Sequence, residues 1–566
     1  MPISKTTQTS FTAGELDPSL AARFDVTKYF AGAQELLNVL VRPQGGVRRR
    51  PGMRDLIGID DGLDAVRLLP FAFNTEQTYC LLLTAGRFAV FLANGTYVAN
   101  VGGAPWNAAQ VRELTFAQSA DTMLLFHRDM QPQRIRRGGS HASWTLDAVP
   151  LTNIPNHDFG AGAEPVISAG RGWPECGTFH DGRLWLAGLR SRPSTALASK
   201  VAQYFDFDAG TGLDDQALNV TIDSDQVNAI HQIRSGRALQ MFTTGAEFAV
   251  TVDPPITPKN INLQEQTRRG IKRFTPTVEV DGAVLFIQRG GKALRQFLFE
   301  QVEQAYRSDL LSLLAPHLIR DPVDMAARKG SAQDDADHVL LVNPDGAMAV
   351  LTTLRAQEVT AFTRWETAGQ IRAACALASG EVFFATVRNG QVRVEQWDEG
   401  RLLDNGTVAT GSGITTVAGL AHLEGQAVRL LLDGADHGTA IVAGGQVALP
   451  RAADRAEVGL DVPLRVLPMF FEPRHPSGPL IGGKSRVVKA TCRVRNTGLF
   501  AMRGTAVVLR IAGTDPAPAL GTAPPIVTGD LTVRGMTGWR ARHDLEIRQD
   551  VAAPFELLAL SVELSF

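Results

Sequence analysis

Adjacent carboxylates are the residues of this chain best suited to acid–base chemistry. Asp60-Asp61, Asp214-Asp215 and Asp334-Asp335 each supply the two groups that glycoside hydrolysis needs, one acid and one base or nucleophile. Each pair lies in a Gly- or Ala-rich polar stretch with no apolar wall to raise a pKa, so all three read as solvated loops. His180-Asp181, near Trp173 and Trp185, is the most site-like cluster. Its place at the edge of a strand pair favours a role in packing. Asp223-Ser224-Asp225 with Asn228 has the start of a calcium loop, but Val227 stands at the third ligand position and no glycine follows. A polar turn is the reading there.

No HExxH and no GxSxG occurs, so the zincin helix and the hydrolase elbow lack their minimum parts. Cys80, Cys176, Cys375 and Cys492 are far apart, and none forms a CxxC pair. They are expected to be buried free thiols in a reducing compartment, with no zinc and no cofactor. With 56 Lys and Arg against 58 Asp and Glu, the net charge of -2 gives no general attraction to nucleic acid or membrane. The start MPISKTTQTS has neither the basic residues nor the apolar stretch of a signal peptide, and no window reaches the ~20 apolar residues of a membrane span.

The elements that would carry these residues fall into four parts. In residues 1–65, Asp17-Pro18 reads as a helix cap followed by proline at the first helical position. Val26, Tyr29, Phe30, Ala33, Leu36, Leu37 and Leu40 then recur at helical spacing with Asp25 placed to cap them, which predicts a helical arm. Pro43-Gln44-Gly45-Gly46 is a turn, and Arg48, Arg49, Arg50, Pro51 and Gly52 read as extended chain.

From residue 66 to 410 the chain changes to short β-branched, leucine and aromatic runs broken by turn residues. Seven of these read as strand pairs around a turn, centred on Leu81, Leu124, Leu184, Leu239, Leu285, Leu340 and Val382. Their gaps of 43, 60, 55, 46, 55 and 42 residues have the scale of a β-propeller, one four-stranded blade per period. The expected core is therefore a propeller of six or seven blades, with stacked sandwiches as the competing architecture. Trp397-Asp398 is a blade end, and the Gly-, Pro- and Asp-rich stretches at 150–174, 204–219 and 253–258 are projecting loops.

Residues 411–465 read as a small antiparallel β domain turning at Asp433-Gly434 and Gly444-Gly445. Residues 466–566, with RVVKATCRVRN, TAVVLRI and LLALSVELSF, read as a terminal β-sandwich or barrel. The fold class is mainly β.

The N-terminal part carries Phe11, Gly14, Glu15, Pro18, Leu20, Arg23, Asp25, Tyr29, Gly32, Leu37 and Asn38, then Pro43-Gln44-Gly45-Gly46 and Arg49-Arg50-Pro51-Gly52. This string closely resembles the opening segment of the tail nozzle proteins of podoviruses, also called tail tubular protein B or, in some phages, DNA stabilisation proteins. GRLWLAGLRSRPSTALAS, Tyr204 to Phe207, TIDSDQVNAI, AVLFIQRGGKALRQF, GLAHLEGQAVRLLLDG and GGQVALP extend the resemblance to about residue 460. It fades in the last hundred residues.

The resemblance implies a structural virion protein and not an enzyme. Its subunits would form a ring, usually of six copies, below the portal and adaptor, each with a propeller and with the N- and C-terminal parts as the platform facing the adaptor. Tail fibres or spikes would be further partners. Genomic double-stranded DNA would be retained in a central channel and conducted without sequence preference, and the protein would be made in the host cytoplasm for the virion tail.

On that reading Phe11, Glu15, Arg23, Tyr29, Asn38, Gln44, Arg48, Arg49 and Arg50 are candidates for the adaptor or subunit interface, with helix capping and an ion pair within the chain as the plainer roles of Glu15 and Arg23. Arg134, Arg136 and Arg137, with Arg268 and Arg269, are candidate channel contacts to phosphates. Exposed hairpin tips serve as well, and a channel lined with many such contacts would grip a genome that must slide. The alternative function is a propeller that binds host glycans as receptor, with Trp106, Trp144 and Trp173 as stacking surfaces. A tail enzyme that cleaves glycans is a third, weaker option.

Overall fold

The structure, a computed structural model, describes residues 3–59, 65–251, 255–330, 336–471, 474–475, 478–479, 483–507, 523–534, 536 and 538–566. Asp60-Asp61, Asp334-Asp335 and Asp253 lie outside the described residues.

Seven runs of antiparallel strands follow one another from Arg67 to Asp398. The first blade is Arg67–Ala72, Thr78–Thr84, Arg87–Leu92 and Tyr97–Gly102, hydrogen-bonded in that order. Blades two to six repeat it, beginning at Thr115, Pro174, Ile230, Val278 and Asp324. The seventh has three strands of its own, Gln370–Ala376, Val382–Arg388 and Gln391–Asp398, and takes its fourth, Gly52–Ile59, from the N-terminal part.

Side chains alternate between the two faces of each blade, and both faces are buried. Leu81 and Leu83 meet Met123 and Leu125 of the second blade, while Cys80 and Leu82 meet Ala373 and Phe383 of the seventh. The same pairing links second to third, third to fourth, fourth to fifth, fifth to sixth and sixth to seventh, so the set closes on itself. A ring of seven blades is the result, with first strands of neighbouring blades against one another at the axis. Burial on both faces also explains why Thr78–Thr84 reads as an unbroken apolar run.

The centres picked out in the sequence, Leu81 to Val382, each fall in the second strand of a blade. The irregular gaps come from insertions. One holds the strand pair Asn156–Asp158 and Ala163–Pro165, and another is the loop between Ala198 and Leu218.

The helical arm is not there. Residues 27–31 form one short 3-10 turn, and Gly32–Leu37 and Val39–Val41 are strands. Asp25 pairs with Arg23 and caps nothing. Helical spacing is overridden here by tertiary context, because Gly32–Leu37 is taken up as an interior strand between the sixth blade and Leu464–Pro468. Of the two helical signals only the Asp17-Pro18 turn forms as read, with Asp17 accepting from the Ser19 amide at 2.9 Å.

The C-terminal part is not a domain by itself either. One sheet runs Val39–Val41, Val47–Arg49, Glu556–Ser565, Arg486–Thr497 and Val527–Arg534, with Ile3–Gln8 also paired to Glu556–Ser565, Ile3 opposite Ser565. A second continues the sixth blade through Gly14–Glu15, Gly32–Leu37, Leu464–Pro468 and Ile547–Gln549 to Ala501–Met502. Both enclose one core, in which Phe11, Leu36 and Val47 meet Cys492, Leu560 and Val562. Gly14, at φ +73°, lets this sheet join the propeller, since a Cβ there would lie 2.3 Å from the Phe362 nitrogen.

The small unit is a second extension. Asp404–Ala418, Gln446–Leu460, Ala427–Leu432 and Ala435–Ile441 continue the seventh blade's sheet from Gly52–Ile59 and enclose their own core.

Candidate functional site

Arg50 sits where the propeller, the two-sheet body and the small unit meet. Proline at 51 holds the chain extended as it leaves one sheet for the seventh blade. The Arg50 side chain is fully buried and lies over the Trp365 ring at 5.3 Å. Its Nη1 and Nη2 donate to the two Asp404 oxygens at 2.9 and 2.6 Å, and Nε donates to Asn38 Oδ1 at 2.9 Å. Carbonyl oxygens of Pro51 and Glu366 accept the rest. Burial pushes the Asp404 carboxyl up, and Arg50, with Arg388 and Thr367, outweighs it and holds it below the usual carboxylate range.

The network widens from there. Arg388 forks onto Glu395, Arg393 forks onto Asp55, and Asn405 donates to both Asp55 and Glu395 at 2.9 Å. Its members come from the N-terminal segment, the seventh blade and the start of the small unit. The arrangement fixes the junction; it presents no group to solvent for catalysis.

Most of the N-terminal candidates are engaged within the chain. Phe11 is in the two-sheet core. Glu15, 3% exposed, accepts the Leu36 amide at 2.8 Å and pairs with His317 Nε2 at 3.0 Å, not with Arg23. Tyr29 is buried and donates to the Phe470 carbonyl oxygen at 3.3 Å. Asn38, in left-handed conformation, reaches the Pro463 carbonyl oxygen at 2.8 Å. Arg49 donates to Gln549 and the Val462 carbonyl oxygen; burial, with Arg50 beside it, pushes its pKa down to about 10. Six of the nine candidates, Arg50 included, thus make their contacts within the chain. Arg23 and Gln44 are exposed, and Arg48 is partly exposed in an ion pair with Glu399 at 2.6 Å.

The basic clusters are also largely neutralised at home. Arg134 and Arg136 share Asp147, at 2.5 and 3.2 Å, and Arg137 donates to Gln77 and Tyr79 while lying over the Phe73 ring. Arg268 pairs with Glu265 and Asp225. Arg269 is exposed, and its neighbour Arg273 forks onto Glu175.

Of the carboxylate pairs, Asp214 and Asp215 are exposed on the loop before Leu218, with Lys259 at 3.3 Å from Asp214. His180 bonds to Ser235 at 2.8 Å, and Asp181 accepts the Ile256 amide at 2.6 Å, so this pair fastens blade edges. Asp223 to Asn228 is a polar turn closed by Asn228 on Ser224 at 2.9 Å. Among the described residues no group of three or more His, Cys, Asp or Glu side chains could hold a metal ion. All four cysteines are free and buried. No helix among the described residues is long and apolar enough to cross a membrane.

Sequence reading missed one buried polar cluster. Glu175, on the third blade's first strand, binds the Arg273 fork at 2.9 and 2.7 Å and His231 Nδ1 at 2.9 Å. Burial pushes this carboxyl up, but His231 and Arg273 bring it below its ordinary value. Glu247 is the opposite case. Burial pushes it up to about 7 against a hydrogen bond from Thr267. A polar residue inside an apolar strand run was the available signal for both.

Tyr97 is 45% exposed beside a groove of about 340 Å³ between the first and seventh blades, which Ile57, Arg87 and Asn100 also line. Trp106 and Trp144 are buried in the core between the first two blades, and Trp173 is packed against that between the second and third.

No family model matches this sequence, and no curated protein sequence matches it. Among solved structures, the chain is similar to the WD40 repeats of RRP9, with TM-score 0.37 and 9% identity over 62% of this chain and 100% of that one. The β-propeller domain of Cps50 (Swd1) from Myceliophteria thermophila gives TM-score 0.37 and 9% identity over 61% and 99%. A streptogramin B lyase structure gives TM-score 0.37 and 9% identity over 62% and 98%. Similarity at this level says nothing of activity or partners; the chain is a mainly β protein built on a propeller.

Proposed function

We propose that this chain is a non-enzymatic assembly subunit, the nozzle subunit of a short-tailed phage, whose copies form a ring that extends the portal channel. The observation that carries the reading is the body outside the propeller. The N- and C-terminal segments, more than four hundred residues apart in sequence, fold together around one core and attach through the outer strand of the sixth blade. A propeller that only binds a ligand has no need of such a body, whereas the resembled family uses those same two segments as its platform. The cavity on the propeller axis, about 200 Å³, is far too small for a duplex, so DNA would run between subunits and not through the blades.

The second reading is a propeller that binds host glycans. The propeller fold taken alone fits this reading more directly than the first, and the groove beside Tyr97 has the aromatic and polar lining that sugars use. The three tryptophans expected to stack on sugar are committed to blade cores. Pull-down with purified portal–adaptor complex, run beside a glycan array, separates the two. Adaptor capture without glycan binding supports the nozzle. Glycan binding lost in Tyr97→Ala, with no adaptor capture, supports the receptor reading.

A further inference from the structure

The first strands of the blades bring charged side chains to the propeller axis. The cavity there is lined by Arg67 of the first blade, Arg234 of the fourth and Asp324 of the sixth, with exposed Glu279 of the fifth. A smaller recess on the same axis adds Arg112 and Arg372.

Arg67 and Arg234 keep donors unspent among the described residues. Arg67 is 7% exposed, and among the described residues its one hydrogen bond runs from Nη1 to the Arg112 carbonyl oxygen at 2.5 Å. A guanidinium has five N–H donors. Arg234 donates from Nε to Thr277 Oγ1 at 2.6 Å and from Nη2 to the Thr277 carbonyl oxygen, and its Nη1 has no partner among the described residues. Asp324 offsets part of the Arg67 charge, but among the described residues it makes no ion pair with it, and its two oxygens each accept a backbone amide at 3.0 Å, from Met325 and Ala374. Burial pushes the pKa of both guanidinium groups down, by more than Asp324 raises that of Arg67 and Glu279 that of Arg234. Two guanidinium groups facing one cavity with donors unspent suit an oxyanion between them.

We propose that the axial cavity of the propeller binds a phosphate-type oxyanion held between Arg67 and Arg234. The two guanidinium groups reach the cavity from blades three apart in the ring, so their donors do not share a plane. A carboxylate is filled by one planar fork, whereas a tetrahedral oxyanion offers oxygens to forks from several directions. The cavity has room for a free phosphate or for the terminal group of a phosphate ester. This site is independent of the assembly reading.

The test is equilibrium dialysis and thermal unfolding of the full chain in chloride buffers of matched ionic strength, with inorganic phosphate or glycerol phosphate added. The native chain should show a single saturable site and a Tm that keeps rising with the logarithm of phosphate above saturation. Arg67→Met and Arg234→Met should each weaken binding at least about tenfold. Arg234→Lys keeps the charge, loses the fork and should bind at an intermediate level, which covers the case in which the Met variants do not fold. Protection by phosphate alone assigns the free ion, and protection by both probes assigns a site open to esters. A native chain that shows no saturable phosphate binding, or variants that bind as the native chain does, would overturn the proposal.

Discussion

A guanidinium with no exposed atom must find partners for all its donors inside the protein, and Arg50 finds them in three parts of the chain. Removing one member of a buried pair leaves the other charge stranded, at a cost of about 3–5 kcal/mol. Arg50→Met is therefore expected to lower the unfolding midpoint sharply, and Arg50→Met with Asp404→Leu to recover much of the loss; calorimetry of the single and double variants checks this. Glu247 has the opposite linkage. Its folded pKa of about 7 lies above the ordinary carboxylate value, so the folded state holds a proton that the unfolded chain gives up. Stability from this group is full below about pH 4 and is lost as pH rises to about 7, by as much as about 3 kcal/mol. Glu247→Gln should flatten that decline and raise Tm at pH 8, and a Tm profile from pH 4 to 8 reads it. Neither residue's role was visible in the sequence. Arg49-Arg50 stood out as a pair, but Asp404 lies 354 positions on, and no local pattern names a partner at that range.

The strands and turns were the legible elements wherever local pattern and tertiary context agree. Pro43-Gln44-Gly45-Gly46 turns between paired strands, and Asp433-Gly434 closes a hairpin. Residues 26–40 were not legible, because the helical spacing of Tyr29, Ala33, Leu36 and Leu40 also occurs by chance where Gly32–Leu37 runs as an interior strand. The join at Gly14 yields a sharp expectation. Gly14→Ala would force a Cβ into the Phe362 backbone from a left-handed conformation, at a cost of more than about 1 kcal/mol. Its Tm should fall, while Gly139→Ala, in open space, should leave Tm unchanged. Deleting residues 1–8 removes a strand from Glu556–Ser565 and bares the edge of that sheet. Such edges recruit other chains, so the truncated protein should aggregate at concentrations where the full chain does not, as light scattering would show.

At the scale of the molecule, the propeller was readable because each blade repeats a hairpin of continuous apolar residues, the second strand being buried on both faces. Closure was not readable. The seventh blade's last strand comes from residues 52–59, before the first blade begins, and the ring therefore closes only when the N-terminal segment has docked. The expected channel arginines change character at this scale too. With Arg134, Arg136 and Arg137 paired internally and a net charge of -2, DNA binding by the isolated chain should be weak. Arg268→Ala with Arg269→Ala should lower its log–log salt slope by about 2 at most in a filter-binding titration. The central claim is assembly through the body that the N- and C-terminal segments build together. Single-particle electron microscopy of the purified chain with portal–adaptor complexes tests it most directly. The account predicts rings seated on the adaptor by that two-sheet body, with the propellers around a channel wide enough for a duplex. Monomers that ignore the adaptor, or rings that contact it through the blades, would contradict it.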